Sequence, residues 1–269
     1  MPYVDAVMPF RGVALDSGWS DVPNGFSVEC MNVLPFDQFT GRNRIGTRSP
    51  LAVAYEFLDD DDEPMEIQAI VPASSYVSGA LVERVVVVAG GLVYVATPGQ
   101  AAVLCSGQTS AGLLSPKLRT TGHLSAVQFG SKMYFADGLV YKKIDLDAAT
   151  PTLSTWAGPA GVASGGVTAR LMVRFGARIA LSGLSPAPNN WFLSKVGDPE
   201  TWTPGTNEGD PQAGDSSTRF GLVGAPIIAL APVGESGLLF GTADGMSFLT
   251  ADPVIDSARM VELSRNVGV

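Results

Sequence analysis

Charged residues are scarce in this 269-residue chain, where Asp, Glu, Lys and Arg together make up 16 %. Ordinary globular proteins carry roughly 25 %. Acidic residues outnumber basic ones by 26 to 17, which gives a formal net charge of −9 at pH 7. Because a duplex-binding protein neutralises phosphates with clustered Lys and Arg, this balance argues against that class.

Histidine and cysteine are rarer still. The chain has one histidine, His123, and two cysteines, Cys30 and Cys105. Two cysteines can form at most one disulfide and cannot complete a structural zinc site by themselves, so we expect both to be reduced and buried. A lone histidine between glycine and leucine gives a catalytic triad little support.

Long apolar runs and catalytic signatures are absent from the sequence. No run of 18 apolar residues and no basic, apolar leader in residues 1–12 is present, which predicts synthesis in the cytoplasm without membrane insertion. No G-x-S-x-G, H-E-x-x-H, Walker A or G-x-G-x-x-G pattern occurs. We therefore expect a protein that is not an enzyme and needs no cofactor.

Glycine and proline, in contrast, are abundant. The chain has 31 glycines and 19 prolines without a G-X-Y period, which is typical of turns between many short strands. From about residue 80 a β-rich run, a glycine turn and a second β-rich run recur four times. The positions taken as equivalent are Val85, Val127, Val173 and Ala229. Their spacings of 42, 46 and 56 residues are close to those of propeller blades.

The apolar pattern of these runs favours a propeller-like fold. Val85–Val88 is apolar throughout instead of alternating, as expected of a strand buried on both faces. We predict an all-β, β-propeller-like domain over residues 51–269, with four or five blades, incomplete or closed by another segment or chain. Residues 1–50 form an extended N-terminal arm. The alternative is that β-hairpins of any other architecture share this pattern.

Two groups of carboxylates could serve chemistry. Asp59–Glu63 could bind Ca²⁺, but without the spacing and central glycine of an EF-hand loop it better fits a solvated turn joining the strands Leu51–Leu58 and Met65–Pro72. A later polar loop could supply paired carboxylates for glycoside hydrolysis, although nothing nearby is apolar enough to raise a pKa. Those carboxylates are Asp198, Glu200, Asp210 and Asp215.

Five residues are candidates for a subunit interface. Arg42, Arg44 and Arg48 lie among small residues that suit a tight turn, and they fit carboxylates of the same or a neighbouring subunit better than nucleic acid. Trp191 and Trp202 flank a polar loop. They either pack beneath it in the core or contact a neighbour, where tryptophan is enriched.

Two stretches resemble the tail nozzle family of bacteriophage virion proteins, also called tail tubular protein B. The first has the pattern G-V … P-x-G-x-x-x-x-C-x-N-V-x-P followed by a turn rich in Gly and Arg, and is carried by Phe10–Val13, Val22–Gly25, Glu29–Pro35 and Gly41–Arg48. The second, Trp191–Trp202, is similar to the S-x-x-G-D-P-x-x-W blade edge of the same family. The family members are generally longer than this chain.

This resemblance implies a homo-oligomeric ring in the virion, at the end of a short tail. The ring would dock to the tail adaptor, contact other tail proteins such as fibres or a needle, and surround the channel through which DNA is ejected without specific binding. No active site is implied. We expect the negative charge to face the channel, so that DNA slides, and the arginines of the arm to face a neighbouring subunit.

Two other functions remain as alternatives. One is a monomeric β-propeller that recognises a carbohydrate or a cell-surface receptor through loop aromatics. The other is a propeller hydrolase with a carboxylate or metal site in its central tunnel. A ring of identical subunits in solution would separate the structural role from both.

Overall fold

The computed structural model describes the strands of the first 54 residues and most of the chain after them. The described residues are 12–13, 26–27, 33–37, 42–47, 55–59, 61–77, 79–97, 100–108, 118–120, 122, 124–159, 168–214, 223–234, 237–251, 253 and 258–264. All regular secondary structure in them is β-strand, so the predicted all-β class is confirmed. Within these ranges there is no helix that could cross a membrane.

The chain divides into two compact units, Met1–Ala54 and Tyr55–Val269. In the first unit, β1 (Gly12–Val13) pairs in parallel with β2 (Phe26–Ser27), and β3 (Val33–Asp37) pairs antiparallel with β4 (Arg42–Thr47). The tight turn predicted around Arg42 and Arg44 is wrong, because both residues belong to the extended strand β4. Only the backbone of these strands is described, and Arg48 and Cys30 lie outside the described residues.

The second unit contains four sheets, each of four strands that pair in chain order with antiparallel neighbours. The first sheet comprises β5 (Ile67–Val77), β6 (Ala80–Ala89), β7 (Leu92–Ala96) and β8 (Val103–Leu104). The second comprises β9 (Ser125–Phe129), β10 (Lys132–Ala136), β11 (Tyr141–Asp145) and β12 (Ser154–Thr155). The third comprises β13 (Thr168–Phe175), β14 (Arg178–Ser185), β15 (Trp191–Leu193) and β16 (Gln212–Gly214). The fourth comprises β17 (Ile227–Val233), β18 (Gly237–Thr242), β19 (Met246–Leu249) and β20 (Met260–Ser264).

Glycine turns close the predicted hairpins. Gly90 and Gly91 join β6 to β7 with φ of 56° and 78°, the left-handed backbone that a two-residue turn of type I′ requires at both positions. Such a turn matches the right-handed twist of the flanking strands, which is why the Gly-Gly pair marks the hairpin so clearly in the sequence.

The phase of the repeat differs from the prediction in the first sheet. Val127, Val173 and Ala229 lie on the first strands of their sheets, but Val85 lies on the second strand, β6. The first spacing was therefore measured between positions that are not equivalent. The true first strand, β5, overlaps the predicted strand Met65–Pro72, but it continues past Pro72 and two serines, which are not typical of a strand interior, to Val77.

Apolar side chains from both faces of the sheets form a core between each pair of successive sheets. On β10, Met133 and Phe135 enter the core between the first and second sheets, whereas Tyr134 and Ala136 enter the core between the second and third. The third core, between the third and fourth sheets, includes Trp191. Burial on both faces explains the apolar runs without alternation, as predicted.

The four sheets follow one another in series. The first strand of each sheet contacts the first strand of the next, so β5, β9, β13 and β17 are the hub strands of the unit. Side chains join these strands: the Gln128 amide bonds to the backbone N–H and carbonyl of Ser74, and the Ser125 hydroxyl donates to the Arg170 carbonyl at 2.8 Å. Among the described residues, no contact of similar extent joins β17 back to β5.

Cys105 is a free thiol buried in the first core, as predicted for it, and burial raises the pKa of the thiol from 9.0 to about 12. We expect a Cys30→Ser variant to show no reaction with a thiol reagent at pH 8 until it is unfolded, because the thiolate is the reactive form. Because the pKa is raised, the free energy of unfolding decreases as the pH rises from 9 toward 12, since only the thiol of the unfolded chain ionises in this range. Native-state labelling followed by mass spectrometry checks this, and rapid labelling of folded protein would contradict it.

Candidate functional site

The Gly-Asp-Pro sequence lies in the connection between β15 and β16. This Gly-Asp-Pro loop, residues 194–211, turns where the Asp198 N–H donates to the Lys195 carbonyl at 3.2 Å. Gly197, with φ of 73°, donates its N–H to the Ala177 carbonyl at 2.8 Å. That bond ties the turn to the preceding hairpin of the same sheet.

The Asp198 carboxylate stabilises the next residues of the loop. One oxygen accepts the Glu200 N–H at 3.0 Å, and the other accepts the Thr201 hydroxyl at 2.7 Å. The hydrogen bond from Thr201 is the largest of the effects that hold the pKa of Asp198 below its usual value. Local hydrogen bonding therefore accounts for the aspartate of the Gly-Asp-Pro sequence.

Arg178 closes the loop at both ends. This arginine lies at the start of β14 and is only 1 % exposed. Its guanidinium donates to the Ser194 carbonyl at 2.9 Å and to the Asp210 carbonyl at 2.6 Å. Ser194 begins the loop and Asp210 lies near its end, so one planar side chain fixes the separation of the two ends. Arg178 was not predicted from the sequence to have a role in this loop. Its only signal is that it lies on a strand, two residues before Ala180, which is buried.

The loop also crosses to the second sheet. Glu200 accepts a hydrogen bond from Lys143 at 2.5 Å, lies 3.8 Å from the Lys132 ammonium and accepts the Tyr134 hydroxyl at 3.3 Å. Burial, and then the Glu200 carboxylate, raise the pKa of the Tyr134 phenol. Because these ions are partly exposed, each pair contributes only about 0.2–1 kcal/mol. These ion pairs therefore fix the position of the loop on the second sheet more than they stabilise the fold.

Both tryptophans of the predicted interface are core residues. Trp202 is buried between the second and third sheets with its ring centroid 6.0 Å from that of Trp156. Trp191 is buried between the third and fourth sheets, 5.7 Å from Phe240. Of the two alternatives, packing in the core is the one that the structure shows, and neither indole offers an exposed surface to a neighbouring subunit.

The described carboxylates of this region serve local structure. Asp210 accepts the backbone and side-chain amides of Asn207 at 2.9 and 3.1 Å, while Asp198 and Glu200 have the partners given above. Asp215 lies outside the described residues. The lowered pKa of the Asp198 carboxyl is the opposite of what an acid in glycoside hydrolysis needs.

The acidic segment Asp59–Glu63 forms a turn, as predicted. One Asp59 carboxylate oxygen accepts the N–H groups of Asp61 and Glu63, both at 2.9 Å, and Leu58 bridges Pro64. Asp60 and His123 lie outside the described residues. Where side chains are described, no three His, Cys, Asp or Glu residues are placed to hold a metal ion.

The hub strands carry little charge. No carboxylate lies on the four hub strands, whose only charged residues are Arg170 and Arg174 on β13. Arg174 is exposed, with its guanidinium 5.5 Å from the centre of the Phe129 ring. The described carboxylates of this unit lie on later strands and in connections, and the prediction that negative charge faces the channel of a ring stays a prediction.

Comparisons with known proteins do not identify a family. No family model matches this sequence, and no curated protein matches it.

Proposed function

We propose that the chain is a structural protein of a phage tail, of the nozzle type, that assembles as a ring around the path of the ejected DNA. The observation that carries the proposal is the Gly-Asp-Pro loop. Its polar groups bond to one another, to Arg178 and to the second sheet. Such a segment holds two sheets rigidly together, as the wall of a ring requires. It also leaves few polar groups free for chemistry.

The charge of the chain supports the same role. With a net charge of −9 and hub strands that carry two arginines and no carboxylate, the chain offers phosphates little attraction. We place the DNA path in the opening of a ring of subunits and not in the hub of one chain. In this proposal the first 50 residues, with Arg42, Arg44 and Arg48, dock to the adaptor or to a neighbouring subunit.

The alternative of a monomeric carbohydrate- or receptor-binding propeller draws no support from the two tryptophans that flank the Gly-Asp-Pro turn. Recognition of a sugar through loop aromatics needs exposed rings, and Trp191 and Trp202 are buried. These two rings are therefore not available to a sugar or a receptor.

Labelling of virions tests the proposed function. We expect antibodies against the purified chain to label the tail end of particles of the phage that encodes it, and peptides of the chain to be found in purified virions. Antibodies against the capsid serve as the control for particle integrity. Absence of the chain from intact virions would contradict a tail role, whatever the chain does in solution.

A further inference from the structure

The outer side of the fourth sheet carries an apolar row that crosses all four strands. Ala231, Leu239, Phe248 and Val261 are direct cross-strand neighbours on β17, β18, β19 and β20. They point away from the third sheet, because Leu238, Phe240 and Leu249 on the opposite side form the third core. None of the four belongs to an apolar core of the described residues, and Val261 is 38 % exposed.

The outer side of the first sheet is apolar as well. Its equivalent row is Ile70, Val87, Tyr94 and Leu104. The segment before β5 covers the far end of this row, where Phe57 packs 4.8 Å from Tyr94. The end of the row on β5 is open, where Ile70 is 63 % exposed. The same side is also open near the tip of the β5–β6 hairpin, where the cross-strand neighbours Tyr76 and Leu81 are 67 % and 58 % exposed.

All three junctions inside the chain have the same polarity. We call the side of a sheet that faces the preceding sheet its leading face and the opposite side its trailing face. The first, second and third cores each pack a trailing face on a leading face. The series therefore ends with one unmatched leading face, on the first sheet, and one unmatched trailing face, on the fourth.

We propose that these two faces bind each other between copies of the chain: the trailing face of the fourth sheet of one copy packs on the open leading face of the first sheet of the next. This inference rests on the proposed ring and names the contact that forms it. A second copy is the occupant that continues the existing sheet-on-sheet packing and covers both unmatched faces with one repeated contact.

Such a contact is heterologous, because each copy uses a different face. Repetition of a heterologous contact gives a closed ring when the rotation between copies closes, and the same contact covers every copy equally. Both faces of every copy are therefore covered only when the ring is complete.

The test compares the mass of three variants of the full chain with that of the wild type by analytical ultracentrifugation. We expect the wild type to form an oligomer, and both Val261→Glu and Leu81→Glu to raise its dissociation constant at least tenfold, because each buries an unpaired carboxylate in the contact. The matched control is Leu139→Glu, which changes a leucine that is 55 % exposed on the turn between β10 and β11 and should leave the mass unchanged.

Mixing the two variants tests the polarity of the contact. A Val261→Glu copy keeps an intact leading face and a Leu81→Glu copy keeps an intact trailing face, so an equimolar mixture should form a dimer that neither variant forms alone. An oligomer unaffected by both substitutions would overturn this contact while leaving the tail role to the virion experiment. A monomeric wild type would overturn it too, and a monomer whose melting temperature falls in both variants would show that the chain covers these faces with its own residues.

Discussion

An Arg178→Ala variant is expected to lose about 3–5 kcal/mol of the free energy of unfolding, since two buried carbonyls lose their donor and a buried side chain is truncated. The carbonyls belong to Ser194 and Asp210 at the two ends of the Gly-Asp-Pro loop. Urea denaturation followed by tryptophan fluorescence measures the loss, because Trp202 lies within this loop. We also expect the emission of the native variant to shift to the red as the loop loosens.

Arg174→Ala is the matched control for this substitution. Arg174 is exposed and donates to the Gly176 carbonyl at 3.1 Å at the end of its own strand, so its removal should cost less than about 1 kcal/mol. If Arg178→Ala does not fold, Arg178→Lys keeps the charge but not the planar guanidinium, one nitrogen of which donates to both carbonyls, and should be intermediate. Equal stability of the Arg174 and Arg178 variants would show that the clamp does not hold the loop.

A Gly214→Ala variant should be destabilised by about 3 kcal/mol through overpacking. Gly214 lies on the edge strand β16 directly opposite Trp191, and a Cβ on it would overlap the indole ring. The neighbouring atoms cannot move away freely, because Trp191 is fully buried in the third core. Thermal denaturation by circular dichroism gives the change.

Two comparisons make this prediction specific to the overlap. Gly224→Ala introduces the same methyl group where no atom lies within 4 Å, and should change the stability by less than about 1 kcal/mol. In a Trp191→Phe background the smaller ring leaves room beside β16, so Gly214→Ala should cost at least ~1 kcal/mol less than in the wild type. Strictly additive substitutions would refute the overlap as the cause.

Much of the fold could be predicted because its signals are local. The hairpin of β9 and β10, for example, consists of two β-rich runs joined by a glycine turn at Gly130, which is the pattern that the sequence repeats. The phase of the first sheet was not predicted, since β5 is an edge strand that is interrupted by a proline and two serines and pairs only with β6. Long-range pairing decides such a strand, and composition does not.

Only part of the contact between the second and third sheets could be predicted from the sequence. The motif around Gly197 stands out because its turn needs glycine and aspartate at fixed positions. Arg178 and Gln128 do not stand out, because a long polar residue in a strand is most often a surface residue. Their partners are backbone groups of another strand or of a loop, which carry no side-chain signature.

The alternation of side chains on β10 restricts how this chain can change in length. Met133 and Phe135 fill one core while Tyr134 and Ala136 fill the next, so deletion of a single residue in β10 would exchange the contents of two cores at once. A substitution disturbs the packing around one residue, whereas a shift of β10 by one residue disturbs the packing of three sheets. Insertions and deletions in descendants of this sequence should therefore accumulate in the connections and spare every central strand.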